Sequence, residues 1–281
     1  MTSSAAGRIP NIDLHSHSTE SDGVLSPRAA VEAAARDGVT VLALTDHDTL
    51  TGIPEARRAA AECGIELVAG VEVSCAWGRE SVHLLGLFVD PEDRALTALF
   101  DEVSERRRRR IAETCRKLSE AGMALRFEEV AAMSTGRSLG RPHVADALVH
   151  KGAVRDRKEA FDRYLGDGKA GHVRYGWKIG VDEAAKMVHA AGGISSVAHP
   201  KYLRDQSALP SLLRETGVRA LEAYHVEQDR DEREHYLSVA DSLGLLVSGG
   251  SDFHEPKHGK RFGSELPPER YEELRSAAGR R

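Results

Sequence analysis

Residues 26–48, SPRAAVEAAARDGVTVLALTDHD, decide the fold. Ser26 can cap a helix, Pro27 suits its first position, and the Ala-rich run to Arg36 continues it. Gly38 fits the left-handed position that ends a helix, and the apolar run after it has the length of a buried strand. Asp46, His47 and Asp48 follow where that strand ends. The same order of helix, glycine and short apolar run recurs in AECGIELVAG, HAAGGISSVAH, RETGVRALEAY and DSLGLLVSGG, with Gly64, Gly193, Gly217 and Gly244 in the place of Gly38. Strands covered on both faces read as continuous apolar runs, so the pattern predicts a parallel α/β sheet or barrel.

After SVHLLGLFVD the alternation stops, and the gap before HAAGGISSVAH far exceeds an ordinary loop. Residues 91–171 therefore read as an inserted, mainly helical cap subdomain between two barrel segments, 9–90 and 172–265. Its first helix should cover about 92–120, carry the arginines at 106–110 and end at Gly122. Shorter helical pieces follow, jointed at Gly136, Gly140 and 166–171, and the tail after Gly263 reads as one short helix.

The 281 residues suffice for one large α/β core. Hydrophobic residues make up 41% and charged residues 30%, and no run approaches the ~20 apolar residues that span a bilayer, so the reading is a soluble globular chain with no membrane partner. Lys and Arg number 39 against 44 Asp and Glu, a net charge of -5 that argues against coating DNA or RNA by bulk charge. Cys63, Cys75 and Cys115 match no paired zinc motif or disulfide framework, and MTSSAAGRIPN lacks an apolar leader, so the expected compartment is the cytoplasm.

The thirteen histidines are the compositional oddity. Many fall at strand ends, in IDLHSHSTESDG, ALTDHDT, SVHLLG, SVAHP and SGGSDFH, with Glu72 in AGVEVSC. Parallel α/β folds place their sites on that edge. His15 and His17, two apart, project from one face of a strand and can grip one ion. With Asp22, His47, Glu72, His83, His199, Asp252 and His254 they make six imidazoles and three carboxylates, too many for one ion. Nitrogen and oxygen donors without thiolate suit Mn, Fe or Zn, so two or three divalent ions are expected. Clustered ions clamp a phosphate and bring a bridging water's pKa toward ~7, which points to phosphoester hydrolysis by a metal-bridging hydroxide.

The segments DLHSHSTESDG, LTDHDT, GVEVS, HLLG, AHP and GSDFH resemble the polymerase and histidinol phosphatase (PHP) superfamily over residues 9–88 and 194–254. Within it the chain is similar to the nucleoside 3',5'-bisphosphate phosphatases and the 5'-to-3' exoribonucleases. The resemblance implies a distorted seven-stranded (β/α)7 barrel holding three ions. It implies His15, His17, Glu72 and Asp252 on one ion, and Glu72 bridging to a second held by His83 and His199. Asp22, His47 and His254 would hold the third. Asp46 and Asp48 would orient imidazoles or cap their turn.

In SLGRPHVADAL, Pro142 starts a helix whose first turn carries His143, where backbone N–H groups favour anions. The resemblance implies that Arg141 and His143 hold a substrate phosphate. Lys178 and the pair Lys201 and Tyr202 are further candidate phosphate and base contacts. Glu222 and His225 end another strand. His199, His225 or an ion-bound water could protonate the leaving ribose oxygen, with Asp252 as an essential ligand. Residues 106–110 read as a solvated helix with Asp101, Glu102, Glu105 and Glu113 as partners, not as an RNA site. His150, His172, His189, His235 and His258 read as structural or surface residues. The expected substrate is a nucleoside 3',5'-bisphosphate, losing its 3'-phosphate. The alternatives are a short RNA, AMP or a histidinol-phosphate-type ester, or a PHP module that binds without turnover. Nothing in the pattern specifies an oligomeric state.

Overall fold

A computed structural model describes residues 11–134, 136–173, 177–256 and 260–279, so Ile9 and His258 lie outside the described residues. Among the described residues, eight strands form one sheet: β1 (Asn11–Asp13), β2 (Val39–Leu44), β3 (Glu66–Trp77), β4 (Glu80–Leu87), β5 (Ile179–Gly180), β6 (Ile194–Val197), β7 (Ala220–His225) and β8 (Leu246–Gly250). Seven follow the path β1-β2-β3-β4-β6-β7-β8, and β5 pairs with β3 off that path. Leu14 N–H donates to Gly249 O and Asp252 N–H to His15 O, joining the two ends of the path.

The first unit folds as its sequence dictates. Ser26 Oγ accepts from Ala29 N–H at 3.2 Å and caps the helix Pro27–Arg36, which buries Ala30, Val31 and Ala34. Gly38, Gly64, Gly217 and Gly244 take positive φ values, as a left-handed helix end requires. At the third unit Gly192 takes that role with φ 81, not Gly193. Gly193 is needed for a different reason: a Cβ there would lie 2.8 Å from Leu87 O.

The sheet is mixed rather than wholly parallel. Only Gly78 and Arg79 separate β3 from β4, and Gly78 has φ 58. A link that short permits only an antiparallel hairpin, since parallel neighbours need a crossover of a dozen or more residues. β4 therefore runs against both β3 and β6, and the register sets His83 opposite Ser74.

Buried apolar side chains sort into two clusters. The larger includes Leu42, Val71, Leu84, Leu85, Val197 and Val247 on the strands. The smaller gathers Ile111, Leu118, Val144, Leu148 and Leu165. One helix, Arg94–Glu120, serves both, through Leu96, Phe100 and Val103 in its first half and Ile111 and Leu118 in its second. Asp93 caps it by accepting from Ala95 and Leu96 N–H. The short helices Phe127–Ala131, Arg141–His150 and Arg157–Ala160 and the π-turn Phe161–Leu165 complete the second cluster's shell. The tail forms the helix Pro268–Ala277.

Candidate metal centre and adjoining cavity

All nine candidate ligands converge on one edge of the sheet, with Glu72 at their centre. Glu72 Oε2 lies 3.3 Å from His15 Nε2 and 3.1 Å from both His17 Nε2 and His47 Nδ1. Its Oε1 lies 2.8 Å from His83 Nδ1 and 2.9 Å from His199 Nε2. Asp252 Oδ1 faces His15 and His17 at 3.4 and 3.1 Å, and Asp22 Oδ1 faces His254 Nε2 at 3.1 Å. Three donor sets result: His15, His17, Glu72 and Asp252; His17, Asp22, His47 and His254; and His47, Glu72 and His83, each with its ligand atoms within 4.8 Å of one another. The first set matches the expected grouping. His17 adds to the expected third ion's set and His47 to the second's, while His199 reaches Glu72 but stands outside the trio.

These residues fit divalent ions. His15 Nε2, His17 Nε2, Asp22 Oδ1, His47 Nδ1, Glu72 Oε2 and Asp252 Oδ1 are buried with no hydrogen-bond partner among the described residues. Unpaired buried polar atoms are costly, and here they aim at common points. Burial opposes ionisation of Glu72, yet its interactions with the surrounding imidazoles hold its carboxyl well below the usual range. Burial likewise opposes a charged His17, but nearby Asp252 and Glu72 raise it to about 10. Burial dominates at His47 and pushes it down to about 3. The clustered carboxylates thus call for nearby positive charge, which divalent cations would supply.

Among the described residues, neither Asp46 nor Asp48 hydrogen-bonds an imidazole. Asp46 accepts from Ser18 N–H, Ser18 Oγ and Ser21 Oγ, holding the turn before Asp22. Asp48 accepts from Ser74 N–H at 2.8 Å and pairs with Arg107 of the long helix. Glu222 does reach an imidazole, with Oε1 3.0 Å from His15 Nδ1. His225 is fully buried behind Asp252, its Nε2 3.9 Å from Asp252 Oδ2, and its Nδ1 accepts from Glu227 N–H. That bond leaves the His225 proton on Nε2.

Two cavities meet over the centre. One, of about 370 Å³, is lined by His47, Glu72, His83, His199, Tyr202 and Asp252. The other, of about 210 Å³, shares His47, Ser81 and His83 and adds Arg107, Arg110, Arg141 and Lys178. Ser138 lines it too, with a buried hydroxyl that has no partner among the described residues. Lys178 Nζ donates to Ser81 Oγ at 2.5 Å, and burial together with the Arg107 charge lowers its pKa to about 8. Arg141 Nη1 donates to Leu165 O at 3.3 Å. His143 is buried at the helix start, where its Nδ1 accepts from Gly140 N–H, and burial lowers its pKa against the pull of Asp22 and Asp146. Lys201 turns away to Glu227 O and Glu232, while Tyr202 stands half exposed at the rim, 5.2 Å from the His199 ring.

Arg107 and Arg110 are cavity residues that sequence reading missed. Arg106 and Arg109 pair with Glu102 and Glu105, as i,i+4 spacing predicts. Asp101 and Glu113 instead pair with Arg137 and Arg116. Arg107 and Arg110 are three apart and line the same cavity, but Arg106 and Arg109 share that spacing, so the run itself does not single them out.

A fold of this order with this donor set defines a class. The family model for the PHP domain matches residues 13–170, and the chain belongs to that family as a metal-dependent phosphoesterase. The chain is 37% identical over 268 residues to the 3',5'-nucleoside bisphosphate phosphatase of Chromobacterium violaceum, covering 92% of this chain and 94% of that one. It is 40% identical over 248 residues to the 5'-3' exoribonuclease of Haemophilus influenzae, covering 87% and 90%. A solved amidohydrolase structure from Chromobacterium violaceum, with bound sulfate and no metal, superposes with a TM-score of 0.88 at 35% identity, covering 95% and 96%.

Proposed function

We propose that the chain removes the 3'-phosphate of nucleoside 3',5'-bisphosphates, with the scissile phosphate at the Glu72-centred cluster and the second phosphate in the basic cavity. The observation that carries this reading is that the two cavities share His47, Ser81 and His83 in their walls, which sets four cationic side chains beside the ligand cluster. The nine expected ligands would hold two or three ions, manganese, iron or zinc. Bound ions would supply Lewis-acid charge neutralisation and an activated water.

Around them the protein's groups bind and orient. Arg141, Lys178 and the Ser138 hydroxyl would hold the remote phosphate, and His143 would fix the helix start that carries Arg141. His225, fully buried and outside the lining of the cavity over the centre, would not reach the departing oxygen. His199, which lines the cavity, is our candidate for protonating the departing ribose oxygen. We take residues 91–171 as a cap that supplies the remote-phosphate contacts, and the cytoplasm as the working compartment. Among the described residues no helix is long and apolar enough to cross a membrane.

The second reading, 5'-to-3' trimming of short RNA, uses the same contacts, with the basic cavity holding a terminal 5'-phosphate. It is supported by similarity to the exoribonuclease at comparable identity. Phosphate and nucleotide release by Mn-reconstituted protein from adenosine 3',5'-bisphosphate, 5'-AMP, histidinol phosphate and a 5'-phosphorylated pentanucleotide, compared as kcat/KM, tests both. The bisphosphate should lead, and Arg141→Ala should cost about 10- to 100-fold on it, the worth of a charge-assisted hydrogen bond, while sparing single-phosphate esters. Preference for the pentanucleotide would favour the second reading, and equal rates on all four would sink both.

A further inference from the structure

Glu222 belongs to none of the three donor sets, yet it touches two candidate ligands. It lies fully buried on β7. Its Oε1 is 3.0 Å from His15 Nδ1, and its Oε2 accepts from the His199 backbone N–H at 2.6 Å. The other ring nitrogen of His15, Nε2, faces Glu72 and Asp252. His199 has φ 28, a positive value that a side-chain-bearing residue adopts only under constraint. One carboxylate therefore joins a side chain after β1 to a strained main chain after β6.

We infer that Glu222 is a positioning residue of the metal centre, fixing which nitrogen of His15 is free to bind an ion and holding the turn that aims His199 at Glu72. The inference rests on the metal-centre reading above. A neutral imidazole carries one N–H, and an ionised carboxylate can only accept. Glu222 thus keeps the His15 proton on Nδ1 and leaves the Nε2 lone pair toward the cluster. A partner of this kind orients the ring and raises its basicity as a ligand.

The two contacts answer differently to an amide. The His199 N–H can only donate, so in Glu222→Gln the amide oxygen would turn to it and the NH2 to His15 Nδ1. His15 Nδ1 must then accept, its proton moves to Nε2, and the ion held by His15, His17, Glu72 and Asp252 loses a ligand. The ion near His83 and His199 keeps its support. A role confined to packing predicts no such asymmetry, because the substitution hardly changes shape.

The test titrates zinc into metal-free full-length wild type, Glu222→Gln and Glu222→Asp by calorimetry, counts bound zinc by elemental analysis, and records two-bond 1H–15N spectra of histidine-labelled, zinc-loaded protein. One binding step should weaken about 10- to 100-fold in Glu222→Gln while the others hold. Glu222→Asp, still an acceptor only, should recover part of the loss. His15 in wild type should carry its proton on Nδ1. Unchanged zinc affinity and count in Glu222→Gln, or a His15 Nδ1 without its proton in wild type, overturns the inference. Should Glu222→Gln fail to fold, the wild-type spectrum decides alone. Wild type that binds no zinc overturns the metal-centre reading itself, and with it this inference.

Discussion

The metal end and the basic end of the cavity are built by different means. Candidate ligands come from the strands or the loops that leave them, and six of their donor atoms have no hydrogen-bond partner among the described residues. At the basic end Arg107, Arg110 and Arg141 come from the helices between β4 and β5, and each is anchored, to Asp48 and Ser74, to Val173 O and to Leu165 O. The first end is a set of donors arranged for charge it does not itself carry. The second is cationic in its own right. The difference teaches where general chemistry and selectivity reside: changes on the sheet edge should affect every phosphoester alike, and changes on the helices should discriminate among them.

The largest effect tests the first half of that division. Asp252→Ala removes an oxygen facing both His15 and His17, and turnover of every phosphoester should fall by roughly 10³-fold or more, while the circular dichroism spectrum is kept. Loss confined to bisphosphates, in protein of verified metal content, would break the comparison.

Arg107→Ala strikes the joint between the two ends. Arg107 and Asp48 are a largely buried pair, with side chains 13% and 1% exposed, and removing one partner of such a pair costs about 3–5 kcal/mol, measured by urea unfolding. Burial opposes ionisation of Asp48, but the Arg107 charge and the Ser74 N–H hold its pKa below the ordinary value. A depressed carboxyl stabilises the fold above its unfolded pKa, about 4, and that contribution is lost as pH falls through the folded value. The acid limb of wild-type stability should therefore be steeper than that of Arg107→Ala. Equal limbs would show that the joint adds nothing.

The smallest effect sharpens the basic end. Lys178, with its pKa near 8, is cationic at neutral pH and neutral at pH 9. KM for a bisphosphate should rise up to about 10-fold across that interval, and Lys178→Arg should flatten the rise, because guanidinium stays charged.

The metal end was largely legible in the sequence because most candidate ligands sit within or just after an apolar run, which places them on strands or on the loops that leave them. The reversal of β4 was legible only in its turn, where Gly78 and Arg79 leave no room for a crossover. Long-range partners were not legible. Nothing near Asp48 announces Arg107, nor does five-arginine composition tell which two face the barrel. Glu222 could be placed at a strand end, but that it reaches both His15 and the His199 main chain depends on how β7 lies against β1 and β6.

The meeting of the first and last strands has a thermodynamic consequence. Ser251 N–H and Oγ bind Asp13 across 238 residues, and Asp252 N–H binds His15 O beside them. Glu72 and His83, by contrast, meet across 11 residues of one hairpin. Closing the longer loop costs roughly 2–3 kcal/mol more in chain entropy, since each doubling adds about 0.6. The seam that shuts the barrel is also what sets Asp252 beside His15 and His17, so that set of candidate ligands comes together only when the whole fold does. An ion bound there at a hundred times its dissociation constant adds about 2.7 kcal/mol to global stability, acting as a clasp between the first strand and the last.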